Sequence, residues 1–197
     1  MRVVGGKWKS RKINQLLKND HYSIIRPTTD RIRENIFNII QNLDVKNQIE
    51  GANVLDIFCG TGAMGIEALS RGASFCQFID NSPISSQITL NNIKNLSCEN
   101  ETNFLLTNVL EIGDYGLKKS VVVFMDPPYK KRISEVVIQR LLQNGWIDKD
   151  SLIILEKSKK EIRPVSGAVN GKQPIRFRKR NAKVVPFHPW QVYKIKE

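Results

Sequence analysis

Asp56-Ile57-Phe58-Cys59-Gly60-Thr61-Gly62-Ala63-Met64-Gly65 decides how this chain folds. It closes a strand-like run over 53–58 and opens a helical stretch through Met64, Ile66 and Leu69 that ends near Gly72. Gly60, Gly62 and Gly65 have the spacing G-x-G-x-x-G, in which glycines permit a tight turn and let a ligand approach the backbone. Asp80 stands twenty residues beyond Gly60, at the end of the next strand-like run. An acid there accepts ribose hydroxyls. Strand, glycine turn, helix, strand and acid together predict a nucleoside-type site on a Rossmann-like fold.

The rest of the chain continues the pattern. Strand-like runs at 75–80, 103–107, 121–125 and 152–156 alternate with helical stretches at 83–96 and 133–142. Such alternation predicts an α/β domain with a mostly parallel sheet covered by helices on both faces. Ile175-Arg176-Phe177-Arg178 and Val192-Tyr193-Lys194-Ile195 alternate apolar with polar and read as a closing antiparallel pair. Upstream, Arg26-Pro27-Thr28-Thr29-Asp30 reads as a helix start, with cap residues ahead of an apolar stripe at Ile32, Ile36, Ile39, Ile40 and Leu43. Arg31, Arg33 and Glu34 are expected on the opposite, solvated side.

A second stretch narrows the chemistry. Val121-Val122-Val123-Phe124-Met125 is wholly apolar, as a buried parallel strand is, and it ends in Asp126-Pro127-Pro128-Tyr129. Two prolines stop the strand and stiffen the exit, and the residue before a proline is held extended. The lip so formed carries the Asp126 carboxylate, the Pro127 carbonyl and the Tyr129 ring. Two acceptors and an aromatic face suit a flat base with an exocyclic amine. The glycine loop alone fits either a dinucleotide or S-adenosylmethionine. Asp126 discriminates, because hydride transfer has no use for this lip and methylation of a conjugated amine does. No metal is required, and His21 and His188 are read as surface or packing residues.

Composition bounds the remaining possibilities. The 197 residues suit one domain with a substantial core. Three cysteines without a C-x-x-C pair argue against a disulfide framework or zinc site and for a reducing, cytoplasmic setting. No apolar run approaches the roughly 20 residues a membrane helix needs. Net charge is +12, unevenly spread: residues 51–150 carry nine Lys/Arg against eleven Asp/Glu, 1–50 ten against five, and 151–197 twelve against three. Basic ends around a neutral middle point to a polyanion, most simply nucleic acid. Residues 1–25 are read as a basic hairpin or arm and 26–197 as the Rossmann-like domain. Lys7, Trp8, Lys9, Arg11 and Lys12 in the arm, and Lys130, Lys131 and Arg132 after the lip, are the expected RNA contacts.

Arg2-Val3-Val4-Gly5-Gly6, Arg26-Pro27-Thr28-Thr29-Asp30-Arg31-Ile32-Arg33-Glu34, Leu55-Asp56-Ile57-Phe58-Cys59-Gly60-Thr61-Gly62 and Asp126-Pro127-Pro128-Tyr129 resemble, in that order, the RsmD-type methyltransferases. The resemblance implies a class I S-adenosylmethionine-dependent methyltransferase fold with seven strands, methylation of guanine N2 in 16S rRNA, and small ribosomal subunits as partner. It also implies that the segment 26–31 flanks the methionine end of the cofactor. The expected cofactor set is Arg26, Thr28, Thr29, Asp56, Phe58, Gly60, Thr61, Gly62, Asp80, Asn81, Asn108 and Val109. Asp126, Pro127 and Tyr129 form the expected catalytic set. Asn108 stands where many methyltransferases place an acid against the adenine. The tail beyond Val165 matches the family poorly.

Three other readings compete. An adenine-N6 DNA methyltransferase shares Asp126-Pro127-Pro128-Tyr129, but the chain carries no separate target-recognition domain. A non-catalytic RNA-binding protein would have no reason to keep Gly60, Gly62, Asp80 and Asp126 together. A nicotinamide oxidoreductase leaves the Asp126 lip unexplained. The leading expectation is a monomeric, cytoplasmic rRNA guanine-N2 methyltransferase.

Overall fold

The computed structural model describes residues 1–15, 28–42, 49–116, 119–128, 133–156, 177–179 and 190–195. Five parallel strands are β1 (Asn53–Ile57), β2 (Phe75–Asp80), β3 (Thr102–Leu106), β4 (Val122–Met125) and β5 (Leu152–Glu156). β6 (Phe177–Lys179) and β7 (Trp190–Ile195) pair antiparallel with each other, and β7 also pairs antiparallel with β5. The order across the sheet is β3-β2-β1-β4-β5-β7-β6. The expected mostly parallel, seven-stranded sheet is therefore present, with the tail pair as its antiparallel end. The chain runs outward from β1 to β3 and then returns to lay β4 on the other side of β1. That reversal opens a crevice at the carboxyl ends of β1 and β4.

Helices cover both faces. They are α1 (Asp30–Gln41), α2 (Ala63–Ser70), α3 (Pro83–Leu96) and α4 (Ser134–Gln143). Successive residues of β4 point to opposite sides, so Val122 and Phe124 join one apolar cluster and Val123 and Met125 the other. On the first side Phe124 meets Phe37 of α1, with ring centroids 5.5 Å apart, and Ile40, Ile66, Leu69 and Phe78 complete the packing. On the second, Leu55, Ile57, Val137, Leu141 and Trp146 close over the sheet. A strand buried on both faces has no polar side, which is why 121–125 is apolar throughout. Among the described residues no helix is long and apolar enough to cross a membrane.

The amino-terminal arm is a packed hairpin. Val3 and Ser10 close it through Val3 N–H to Arg11 C=O and Ser10 N–H to Val3 C=O, both 2.9 Å, and Arg2 bridges Lys12. Val3 and Ile13 are buried in the first apolar cluster. The turn lies so close to α2 that a Cβ on Gly6, at φ +75°, would sit 1.8 Å from the Ser70 carbonyl oxygen. The Glu67 carboxylate of α2 accepts the Val4 and Gly5 N–H groups, each at 2.8 Å, and the Arg71 Nε at 2.8 Å. Arg33 departs from expectation: it is fully buried and not on a solvated face. The hairpin covers that flank of α1, and the guanidinium bonds the carbonyls of Thr28, at 2.9 Å, and Arg2, together with Asp30 at 2.8 Å. Burial lowers its pKa, while the charges of Asp30 and Glu67 act in the opposite direction. Arg31 and Glu34 do face solvent.

Glu67→Ala strands two hairpin N–H groups and the Arg71 cation at a buried position. The expected loss is about 3–5 kcal/mol, the usual cost of breaking a buried ion pair by removing one partner. Urea unfolding measures it, and an unchanged midpoint would show that apolar packing alone seats the hairpin.

Candidate active site

The site is built first from the exit of β1. After Ile57 the backbone turns through positive φ at Phe58 (+57°), Gly60 (+57°) and Gly62 (+73°). Phe58 N–H still reaches the Ile79 carbonyl of β2 at 2.9 Å, which anchors the start of the loop. Its far end is the start of α2, where Asp56 reaches across to accept the Gly65 N–H at 2.9 Å. Gly62 sits there because a Cβ would meet the Thr89 methyl at 2.8 Å, in addition to its left-handed φ. The Asp80 carboxylate, at the end of β2, accepts Gly60 N–H with one oxygen and Ser82 N–H with the other, each at 2.9 Å. Asp80 thus organises the loop, and it is not among the residues that line the pocket described below.

Two residues of α3, not singled out from the sequence, brace this loop from behind. Thr89 donates to the Gly60 carbonyl at 3.0 Å, and Asn92 donates to the Thr61 carbonyl at 3.0 Å. Asn92 also accepts the Asn14 N–H at 2.6 Å, which ties the exit of the hairpin to the glycine loop. Both side chains are fully buried. A polar residue on the buried side of a helix is their only sequence signal, and α3 has too many polar residues for it to stand out.

The second half of the site comes from β4. Ile57 pairs with Met125 in the β1/β4 ladder, so Phe58 and Asp126 leave adjacent strands at one edge. One pocket is lined by Thr28, Asp56, Phe58, Gly60, Thr61 and Asp126 of the expected set, and by Cys59, Ala63, Met64 and Trp190 besides. Asp126 is half-buried, Pro127 buried and Pro128 exposed. Burial first, and then the charge and hydrogen bond of Glu156 and the charge of Asp56, raise Asp126 to about 8. Asp56 also rises to about 8: burial is the largest cause, the Gly65 N–H opposes it, and the Asp80 charge adds to it. Trp190 and Glu156 were not anticipated. Trp190 comes from the poorly matching tail, and it lies opposite Glu156 in the β5/β7 ladder.

The other expected residues fall into separate places. Thr107 N–H bonds the Asp80 carbonyl at 2.9 Å, so Asn81, Asn108 and Val109 follow along the same edge. Asn108 caps a short turn by accepting Leu110 N–H at 3.1 Å, Val109 is buried and Asn81 exposed. Thr29 stands at the N-cap position of α1 without a side-chain capping bond and is exposed. In the hairpin, Lys7 pairs with Glu101 at 2.8 Å and lies 4.3 Å over the half-buried Trp8 ring, and Arg11 donates to the Asn95 carbonyl at 2.9 Å. Lys9 and Lys12 are exposed. Arg26, Tyr129, Lys130, Lys131 and Arg132, with His21 and His188, lie outside the described residues.

An apolar floor under two mostly protonated carboxyl groups suits a largely apolar ligand with hydrogen-bonding groups, and a positive charge on it would favour their ionised forms. The model of the family described as conserved hypothetical protein 95 matches residues 1–185. The chain is 34% identical over 156 residues to ribosomal RNA small subunit methyltransferase D of Escherichia coli (strain K12), spanning 79% of this chain and 74% of that protein. It is 30% identical over 166 residues to the protein of the same name from Haemophilus influenzae, spanning 81% and 79%. The solved structure of yhhF from Escherichia coli matches with a TM-score of 0.71 at 29% identity, covering all of this chain and 98% of that one.

The pocket carboxyls make stability depend on pH. Asp56 titrates near 3.8 when unfolded and near 8 when folded, so the native state holds the extra proton between these values. Its contribution is present below about pH 4 and is lost as pH rises through about 8. Asp56→Asn keeps an acceptor for Gly65 and cannot ionise. Its melting temperature relative to wild type is therefore expected to rise from pH 5 to about pH 8 and then level off, which scanning calorimetry checks; parallel curves would show that Asp56 titrates alike in the folded and unfolded chain.

Proposed function

We propose that this chain, which belongs to the family described as conserved hypothetical protein 95, transfers a methyl group from S-adenosylmethionine to the exocyclic N2 of a guanine in 16S rRNA. Family and fold make it a class I methyltransferase of the S-adenosylmethionine type. The observation that carries the finer reading is the single pocket shared by the Gly60 loop, Asp56 and Asp126. The relatives' printed name supplies the substrate class, small-subunit rRNA.

The residues present fit the cofactor. Each Asp80 oxygen accepts one backbone N–H and keeps a second lone pair for a ribose hydroxyl. Phe58, Ala63 and Met64 offer apolar contact beside Asp56 and Asp126, whose ionised forms a cationic sulfonium would favour. Asn108 and Val109, outside that pocket's lining, would edge the adenine side. Thr28, with Thr29 and Arg26, would border the methionine end. When bound, the cofactor supplies an already activated methyl group, so the chain's work is orientation and electrostatics. The guanine amine is a poor nucleophile because its lone pair is delocalised into the ring. Asp126 and the Pro127 carbonyl each accept one N–H, which turns the lone pair out of the ring plane toward the methyl group. Tyr129 gives the base a stacking face.

The basic arm of residues 1–25 would follow rRNA phosphates on the small subunit, with the chain acting as a cytoplasmic monomer. Lys9 and Lys12 are free to do so as they stand. Lys7 would exchange Glu101 for a phosphate, and an exposed pair of this kind holds it by only about 0–1 kcal/mol.

Labelled methyl transfer to unmethylated small subunits, naked 16S rRNA and DNA in parallel tests the reading. Label is expected on N2 of guanine in rRNA; label confined to adenine in DNA would replace it with the DNA-enzyme reading. Asp126→Ala is expected to lose about 100- to 1,000-fold in turnover, as loss of one preorganised hydrogen-bonding group typically does, with S-adenosylhomocysteine affinity retained. Replacing Lys9 and Lys12 by Ala is expected to reduce the salt slope of rRNA binding by about one unit each. An unaltered slope would remove the hairpin from the RNA contact.

A further inference from the structure

Asn92 stands on the buried side of α3 with every polar group of its side chain in use. Its amide donates to the Thr61 carbonyl at 3.0 Å and to the Asn14 carbonyl at 3.1 Å, and its oxygen accepts the Asn14 N–H at 2.6 Å. It pairs with Asn14 as a neighbouring strand would, giving one bond and taking one. Its remaining N–H reaches the glycine loop. Thr61 stands between Gly60 and Gly62, both at positive φ, and lines the pocket with Asp56 and Asp126. Asn14 follows two residues after Lys12, an exposed cation of the hairpin. Between them the buried Ile13 donates its N–H to the Met1 carbonyl at 3.1 Å.

Asparagine forms a helix less readily than leucine, and a buried amide weakens a fold unless its bonds are made. Leucine would fill the same space without those demands. What asparagine adds is the bridge. Glu67 and Ser70, which also bond the hairpin, stand in the second half of α2, and Asn95, which accepts from Arg11, stands near the end of α3. None of those bonds includes a residue of the loop. Thr89 is the converse case, bonding the loop at Gly60 and no hairpin residue among those described.

Resting on the methyl-transfer reading, we infer that Asn92 is a positioning residue through which rRNA on the hairpin and S-adenosylmethionine at the glycine loop strengthen each other's binding. A phosphate held by Lys12 steadies residues 12–14. With Asn14 held, the Asn92 carboxamide keeps one orientation, and its second N–H stays on Thr61. The loop then has less ordering left to undergo when the cofactor binds. Linkage makes the effect reciprocal, so bound cofactor tightens rRNA by the same factor.

Equilibrium dialysis of labelled S-adenosylhomocysteine tests this, against protein alone and protein saturated with unmethylated small subunits, in wild type, Asn92→Leu and Thr89→Val. In wild type the subunits are expected to tighten binding about fivefold or more. Thr89→Val is expected to weaken binding in both conditions and keep the ratio, since it loosens the loop and leaves the bridge. Asn92→Leu is expected to bring the ratio close to one. A ratio near one in wild type, a ratio kept in Asn92→Leu, or a ratio lost equally in Thr89→Val overturns the inference. Amide hydrogen exchange in wild type needs no substitution and so decides even where Asn92→Leu does not fold. There S-adenosylhomocysteine is expected to slow exchange at the Asn14 N–H several-fold without RNA, and an unchanged rate overturns the inference too. Neither readout needs turnover. Coupled binding in a protein that methylates no guanine N2 therefore defeats the methyl-transfer reading and leaves the bridge standing, and N2 methylation with a wild-type ratio of one does the reverse.

Discussion

Everything functional in this molecule depends on the parallel pairing of β1 with β4. Val54 pairs with Val122 and Ile57 with Met125, so two strands far apart in sequence end level with each other. One ends in the glycine loop and the other in Asp126-Pro127-Pro128. A slip of one residue would turn the apolar side chains of β4 to the wrong faces, and both clusters would lose their contacts. The register that the hydrophobic core enforces is the register that assembles the pocket.

The glycine loop needs support that its own backbone does not provide. Three residues with positive φ in five positions hold their shape only when their surroundings determine it. Asp80 in front and Thr89 and Asn92 behind satisfy the loop's N–H and carbonyl groups. The support extends further, since Asn92 also holds Asn14, and Glu67 and Arg33 hold the other end of the hairpin. The basic hairpin is thereby joined to the loop through buried hydrogen bonds. Movement of one would strain the other, because each broken bond leaves a buried polar group without a partner.

The pocket's electrostatics follow from where strands end. Asp56, Asp126 and Glu156 come from the carboxyl ends of β1, β4 and β5, with burial as the main force on the first two. Burial and proximity keep protons on Asp56 and Asp126 at neutral pH, and a cation brought beside them would favour their ionised forms.

Much of this was legible in the sequence, for reasons of locality. The Gly60 loop, Asp80 and the Asp126-Pro127-Pro128-Tyr129 exit are short motifs whose backbone demands are written in neighbouring residues. The parallel strands announce themselves as apolar runs because both their faces are covered. Even the β6/β7 pair showed in its alternation. Arg33 was misplaced, since helical periodicity assigns a face without knowing that a hairpin thirty residues upstream will cover it. Thr89 and Asn92 looked like ordinary polar residues of α3 until the loop they brace lay against them. Glu156 and Trp190 became neighbours of Asp126 only through the β4/β5 and β5/β7 pairings. Local sequence determined the motifs and the strand pattern; tertiary structure alone decided which acids end side by side, because strand pairing sets distances that no sequence spacing encodes.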